Sequence, residues 1–136
     1  MNNFLFYYGK IFSGKTTTAI NKAYELKSQG KNIYVYLPDV VWAPNIVSHN
    51  GDQYPVSPEL LGDEHLHFIP YDSFVIIDEA HFLPIEAINV LKNLTTNKQC
   101  KVFCFGRLKQ KLLKVADRII EVANTKKRFD TNEMPI

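Results

Sequence analysis

Cysteine is almost missing from the 136-residue chain, which holds only Cys100 and Cys104. Neither a disulfide framework nor a four-cysteine zinc site can be built from cysteine alone, so no zinc site is expected and a reducing cytoplasm fits. Long hydrophobic runs are also lacking. Nothing approaches the roughly 20 apolar residues of a membrane helix, and no membrane partner is expected. The stretch Phe4–Tyr8 is too short for a signal-peptide core and has no basic residue before it, so the protein is expected to stay where it is made. Charge of one sign is scarce too: 16 Lys and Arg against 14 Asp and Glu leave +2. That balance does not imply nucleic-acid binding. Lys109, Lys111, Lys114, Lys126, Lys127 and Arg128 do gather positive charge toward the end, but no aromatic stacking platform accompanies them, and a solvated basic surface is expected.

What is present suits one globular domain. Hydrophobic residues make up 46% and charged residues 22%, and a chain this long buries about 65–70% of its unfolded surface. Apolar strands alternate with helical patterns, the signature of a parallel sheet. Strands are expected at residues 4–8, 32–37, 73–77, 101–105 and 118–122. Helices are expected at 15–29, with Ala19, Ile20, Ala23, Tyr24 and Leu26 inward, after Pro84, with Ile85, Ile88, Leu91 and Leu94 along one face, and at 108–116. The sum is an α/β fold with a doubly wound, mainly parallel sheet and flanking helices, and the glycine-rich run Gly9-x4-Gly14-Lys15-Thr16 between the first strand and the first helix makes it a P-loop NTPase, RecA-like. The domain is expected over residues 1–122, with a polar tail at 123–136. Between 38 and 64 the pattern dissolves into prolines, glycines and scattered polar residues. That connection is far longer than the usual stretch of about four to six residues, so a functional or disordered loop is expected.

Two stretches carry chemistry. Gly9-x4-Gly14-Lys15-Thr16 has the full form of a P-loop, in which Gly9, Lys10, Ile11, Phe12, Ser13, Gly14, Lys15, Thr16 and Thr17 bind the phosphates of ATP. Its glycines let backbone N–H groups converge on phosphate oxygens, Lys15 reaches the β and γ phosphates, and the Thr16 hydroxyl ligates Mg²⁺. The second stretch, "FVIIDEAH", delivers Asp78 to the carboxyl end of a strand, where it can hold Mg²⁺, with Glu79 beside it as a general base. Taken alone, Asp78 and Glu79 could equally be a helix-capping pair. His65 and His67 alternate onto one face of a possible edge strand with a spacing compatible with metal, but no third ligand is placed. Cys100 and Cys104, about 13 Å apart along a strand, are too distant to share a zinc and read as core residues.

The stretch "YGKIFSGKTTTAI" resembles the opening of the zinc-containing type II thymidine kinases, with Phe12 and Ser13 as the distinguishing pair. "NIVSHNG" is similar to that family's Val-Ser-His/Arg-x-Gly segment, "FVIIDEAHF" to its Ile-Asp-Glu-x-Gln-Phe strand, and "CKVFCFGRL" and "LLKVADRIIEV" to the strands and helix that follow. The resemblance runs over residues 4–122. It implies ATP and Mg²⁺, in-line phosphoryl transfer to a deoxynucleoside, and Glu79 deprotonating the 5′-hydroxyl with Lys15 on the phosphates. Ser48 and His49 would lie in a loop over the nucleotide, with His81 and Phe82 on the substrate side. It also implies possible self-association, the family's members being commonly tetramers.

Departures accompany the matches. Where the family has Asp-x-Arg after the second strand, Asp39 is followed by Val40, Val41 and Trp42, so an expected phosphate-side cation is missing. His81 replaces a Gln, and Lys109, Gln110 and Lys111 stand in place of the segment Asp-Phe-x-Gly-x-Pro-Phe. No counterpart of the family's zinc ribbon or lasso loop occurs in the sequence. Two readings therefore stand: a minimal nucleoside kinase with thymidine as first substrate, or a non-kinase or inactive ATP-binding or ATPase module acting through protein contacts.

Overall fold

The apolar run near the start of the chain forms β1 (Phe4–Tyr8) and the segment after the P-loop forms α1 (Lys15–Ser28), followed by β2 (Ile33–Tyr36). The computed structural model describes residues 2–123. Next come two short strands, β3 (Asn45–Val47) and β4 (Gln53–Pro55), then β5 (Phe74–Ile77), α2 (Ile85–Asn97), β6 (Lys101–Gly106), α3 (Gln110–Val115) and β7 (Arg118–Glu121). Five of the strands make one sheet in the order β2-β5-β6-β1-β7, with every pairing parallel. Phe4, Leu5, Phe6 and Tyr7 are all fully buried. Because successive side chains point to opposite faces of a strand, both faces of the sheet must be covered there. Helix α1 packs on β2, β5 and β6, while α2 and α3 pack on each other and on β6 and β1. The expected α/β architecture is the one found, and Cys100 and Cys104 are buried in it.

Parallel strands all end at the same edge, and the registers Tyr8↔Gly106 and Ile77↔Cys104 bring the ends of β1, β6 and β5 together. Strand β6 lies between β1 and β5. The P-loop after β1 and Asp78 after β5 therefore start about 10 Å apart, two strand spacings.

The segment 38–64 is not one long loop. Strands β3 and β4 pair antiparallel as a hairpin, with Ile46 opposite Tyr54, and Ile46, Tyr54, Val56 and Leu60 enter the core. Ser57 then lines the free edge of β2: its N–H donates to the Val35 carbonyl (2.8 Å) and its hydroxyl accepts from the Val35 N–H (2.9 Å). Tyr24, expected to face inward on α1, is 52% exposed. It anchors the hairpin instead, with its ring edge-on to Tyr54 at 4.9 Å and its hydroxyl donating to the Gln53 carbonyl.

Two other expectations are corrected. Ile85 is 56% exposed, whereas Ala87, Ile88, Leu91 and Leu94 are buried. Three steps of three residues rotate an α-helix by about 900°, so residues nine apart end on opposite sides of it. His65 and His67 do not lie on a strand: they sit in a 3-10 helix, Asp63–Phe68. Here His65 Nδ1 accepts from the Leu61 N–H, and both imidazoles lean on the Phe68 ring. Among the described residues no helix is long and apolar enough to cross a membrane. Most of the expected tail, including Lys126, Lys127 and Arg128, lies outside the described residues.

Candidate functional site

The loop between β1 and α1 is built to leave backbone donors free. Gly14 precedes α1 at φ 93°, in the left-handed region that glycine enters without penalty. No side chain caps the first turn of α1 and no acidic residue stands in it, so its N–H groups and positive dipole end can serve an anion. Lys15 is only 7% exposed. Its Nζ donates to the carbonyls of Gly9 (2.8 Å) and Lys10 (2.6 Å) and, at 3.4 Å, to Ser13 Oγ. Burial holds its pKa below the usual lysine range, with Glu79 and Asp78 opposing the shift. The ammonium thus braces the loop through groups that a phosphate can replace. Phe12 projects from the loop, 61% exposed and with φ at 61°, a strained setting for a bulky residue.

The gap to β5 is closed by one hydrogen bond, in which Thr16 Oγ1 donates to Asp78 Oδ2 at 2.9 Å. Asp78 is 3% exposed and its other oxygen, Oδ1, has no partner. Burial pushes its pKa up to about 6, the Thr16 hydrogen bond working against that and the Glu79 charge with it. A buried carboxylate oxygen without a partner, beside a hydroxyl, is a hard-oxygen donor set that fits Mg²⁺. Glu79, the next residue, takes φ 54° and ψ 36°, a left-handed conformation that costs about 1–2 kcal/mol outside glycine. That turn separates the two neighbouring carboxylates: Asp78 is buried, while the Glu79 side chain is 38% exposed.

His81 packs against the turn. Its Nδ1 accepts from the Arg107 N–H at 3.1 Å, so neutral His81 carries its proton on Nε2. That Nε2 has no hydrogen-bond partner and stands 3.9 Å from Glu79 Oε2. Burial lowers the His81 pKa, with Glu79 opposing and Arg107, Lys15 and Lys109 reinforcing the shift. Lys109 Nζ donates to the carbonyls of His81 (2.8 Å) and Leu83 (2.9 Å), fixing the same turn from α3's side. Gly106 is what admits this packing. A Cβ there would lie 2.8 Å from His81 Nδ1 and 3.0 Å from the His81 backbone nitrogen. Gly106→Ala is therefore expected to destabilise the protein by about 1–3 kcal/mol, measured by chemical denaturation, because the turn bearing Glu79 must move away from β6.

These elements surround a cavity of about 670 Å³, walled by Ile11 through Thr17 of the loop, by Val47, Ser48, His49 and Asn50 of the hairpin, and by Glu79 and Arg107. The hairpin turn is internally tied, Ser48 Oγ donating to Asn50 Oδ1 and the Ser48 N–H to the Asp52 carbonyl. His49 meets Phe12 ring to ring at 4.7 Å. Of the residues singled out in the sequence, the loop, Ser48, His49 and Glu79 come together on one cavity, with Asp78 behind Thr16. Gly9 and Lys10 contribute carbonyls to Lys15. His81 stands behind Glu79, and Phe82, its ring 4.4 Å from that of His81, is not part of the cavity wall. Arg107 was not singled out. The rule that ligands gather at the carboxyl ends of parallel strands points to it once β6 is known to neighbour β1.

A protein-family model described as thymidine kinase matches residues 2–131. No curated protein matches the sequence. Among solved structures, a RuvB from Thermotoga maritima is similar, with a TM-score of 0.53 and 20% identity, over 88% of this chain and 37% of that one. At that identity the likeness is one of fold, and this chain spans well under half the length of that structure.

Proposed function

The chain belongs to the thymidine kinase family, and from that premise we propose that it transfers the γ-phosphoryl group of ATP to the 5′-hydroxyl of a deoxynucleoside, thymidine foremost. The observation that carries the reading is the placement of Glu79 in the same cavity wall as Lys15 and Thr16. A proton acceptor thus faces a phosphate cradle across a space large enough for a nucleotide.

In this reading residues 9–17 hold the phosphates, with the uncapped N–H groups at the start of α1 turned to them, and Lys15 exchanges its contacts with the Gly9 and Lys10 carbonyls for the β and γ oxygens. Thr16 and Asp78 would hold Mg²⁺, which when bound supplies charge neutralisation along the triphosphate. Glu79 accepts the proton of the attacking hydroxyl. Ser48 and His49 cover the nucleotide from the hairpin, while His81 and Phe82, given to the substrate side by the family resemblance, stand outside the cavity wall.

The position of Phe82 outside the cavity wall favours a second reading, in which ATP is bound and slowly hydrolysed without a nucleoside acceptor. One experiment separates them: the purified protein is given ATP and Mg²⁺ with each deoxynucleoside in turn, and nucleoside monophosphate and ADP are both measured. Monophosphate formation that depends on thymidine is expected. ADP release indifferent to every nucleoside would overturn the transferase reading in favour of the second.

A further inference from the structure

The segment after β2 runs Asp39, Val40, Val41, Trp42 and supplies no cation to the phosphates, leaving Lys15 as the one lysine lining the cavity among the described residues. A triphosphate brings about four negative charges, and transfer of its terminal group is helped by a positive charge on that group. We propose that Arg107 is the second cation of the site and contacts the terminal phosphate of the bound nucleotide. The proposal rests on the nucleotide-binding reading above and deepens it.

Three observations place Arg107 there. It lines the cavity together with Lys15, Thr16 and Glu79. Its backbone is pinned on both sides: its own N–H is given to His81 Nδ1, and the preceding carbonyl, of Gly106, accepts the N–H of Gly9 at 3.2 Å. The residue therefore has a fixed base at the junction of the P-loop and the Glu79 turn. Its guanidinium, in contrast, has no hydrogen-bond or ion-pair partner among the described residues. Among the described residues the ion pairs are Lys22 with Glu25 and Lys92 with Asp117, and Arg107 belongs to neither.

Charge makes the same point. Arg107 is near enough to Lys15 and to His81 to oppose protonation of both. Lys15 and Arg107 bring two positive charges to one cavity, offset in part by the Glu79 and Asp78 carboxylates, and the roughly four negative charges of a triphosphate draw on both cations. The terminal phosphate is the group addressed because Arg107 shares its wall with Glu79, the residue that faces the attacking hydroxyl. A planar guanidinium can grip two phosphate oxygens at once, which an ammonium cannot.

The test compares ATP with ADP. Equilibrium affinities of both nucleotides with Mg²⁺ are measured for the wild-type protein, Arg107→Ala and Arg107→Lys at one ionic strength, with thermal unfolding as a control for folding. Arg107→Ala is expected to weaken ATP by about 10- to 100-fold, the range of a charge-assisted contact, and to leave ADP nearly unchanged. Arg107→Lys recovers part of the loss. Equal weakening of ATP and ADP, or no weakening of either, overturns the assignment while the nucleotide-binding reading stands. Failure of the wild-type protein to bind either nucleotide overturns that reading and the Arg107 assignment with it.

Discussion

Glu79→Gln is expected to slow phosphoryl transfer by about 10²- to 10⁴-fold, the contribution of a positioned general base, and to leave ATP affinity nearly unchanged. The amide has almost the shape of the carboxylate and can occupy the same left-handed turn, so the Asp78 and Thr16 hydrogen bond beneath it is retained. What it cannot do is take a proton. Single-turnover measurement of nucleoside monophosphate, beside nucleotide binding by titration, checks both halves. A loss of activity with a parallel loss of affinity would mean that Glu79 shapes the phosphate site rather than serving the acceptor. An unchanged rate would remove it from the chemistry.

Asp78→Asn is expected to do two opposite things. In the absence of Mg²⁺ and nucleotide at pH 7 to 8 it should stabilise the fold, by up to about 3 kcal/mol, the equivalent of a two-unit pKa shift. The sign follows from burial. The carboxyl has a folded pKa of about 6 against a model value of 3.8, so the folded state holds the proton more tightly than the unfolded state. Stability from this group is complete below about pH 4 and is lost as pH rises through about 6. Asparagine cannot ionise, and the variant should lack this sloping pH dependence in denaturant titrations. Function moves the other way. With an amide in place of a carboxylate beside Thr16, Mg²⁺-dependent strengthening of ATP binding should disappear. A variant that is less stable than wild type at pH 8 and still binds Mg²⁺-ATP would refute the role given to Asp78.

Sequence and structure agree where the information is local. A P-loop is a contiguous run whose backbone path is set by Gly14 and whose partners lie within six residues, as the Lys15 contacts show. The strand ending in Asp78 is an unbroken apolar run, and a run buried on both faces needs no alternation to be recognised. The hairpin at 45–55 escaped because its strands are three residues long and include Pro55, too short for any period to register. Strand order, too, is invisible along the chain. Only with β6 between β1 and β5 do Gly106 and Arg107 fall beside the P-loop, and the tautomer of His81 depends on that same adjacency. The outward turn of Tyr24 follows from the hairpin it supports, a partner 29 residues away.

The left-handed backbone at Glu79 bears on how this protein changes through generations. Glycine would sit in that turn without strain, and a single base change converts a glutamate codon to a glycine codon. Folding does not favour glutamate there. A lineage released from phosphoryl transfer would drift toward the relaxed residue, since most proteins lie near their stability threshold and gain by such a step. On the role proposed for Glu79, selection for the carboxylate opposes this drift, and a glycine at this position would mark a descendant that keeps the phosphate cradle and has given up the transfer.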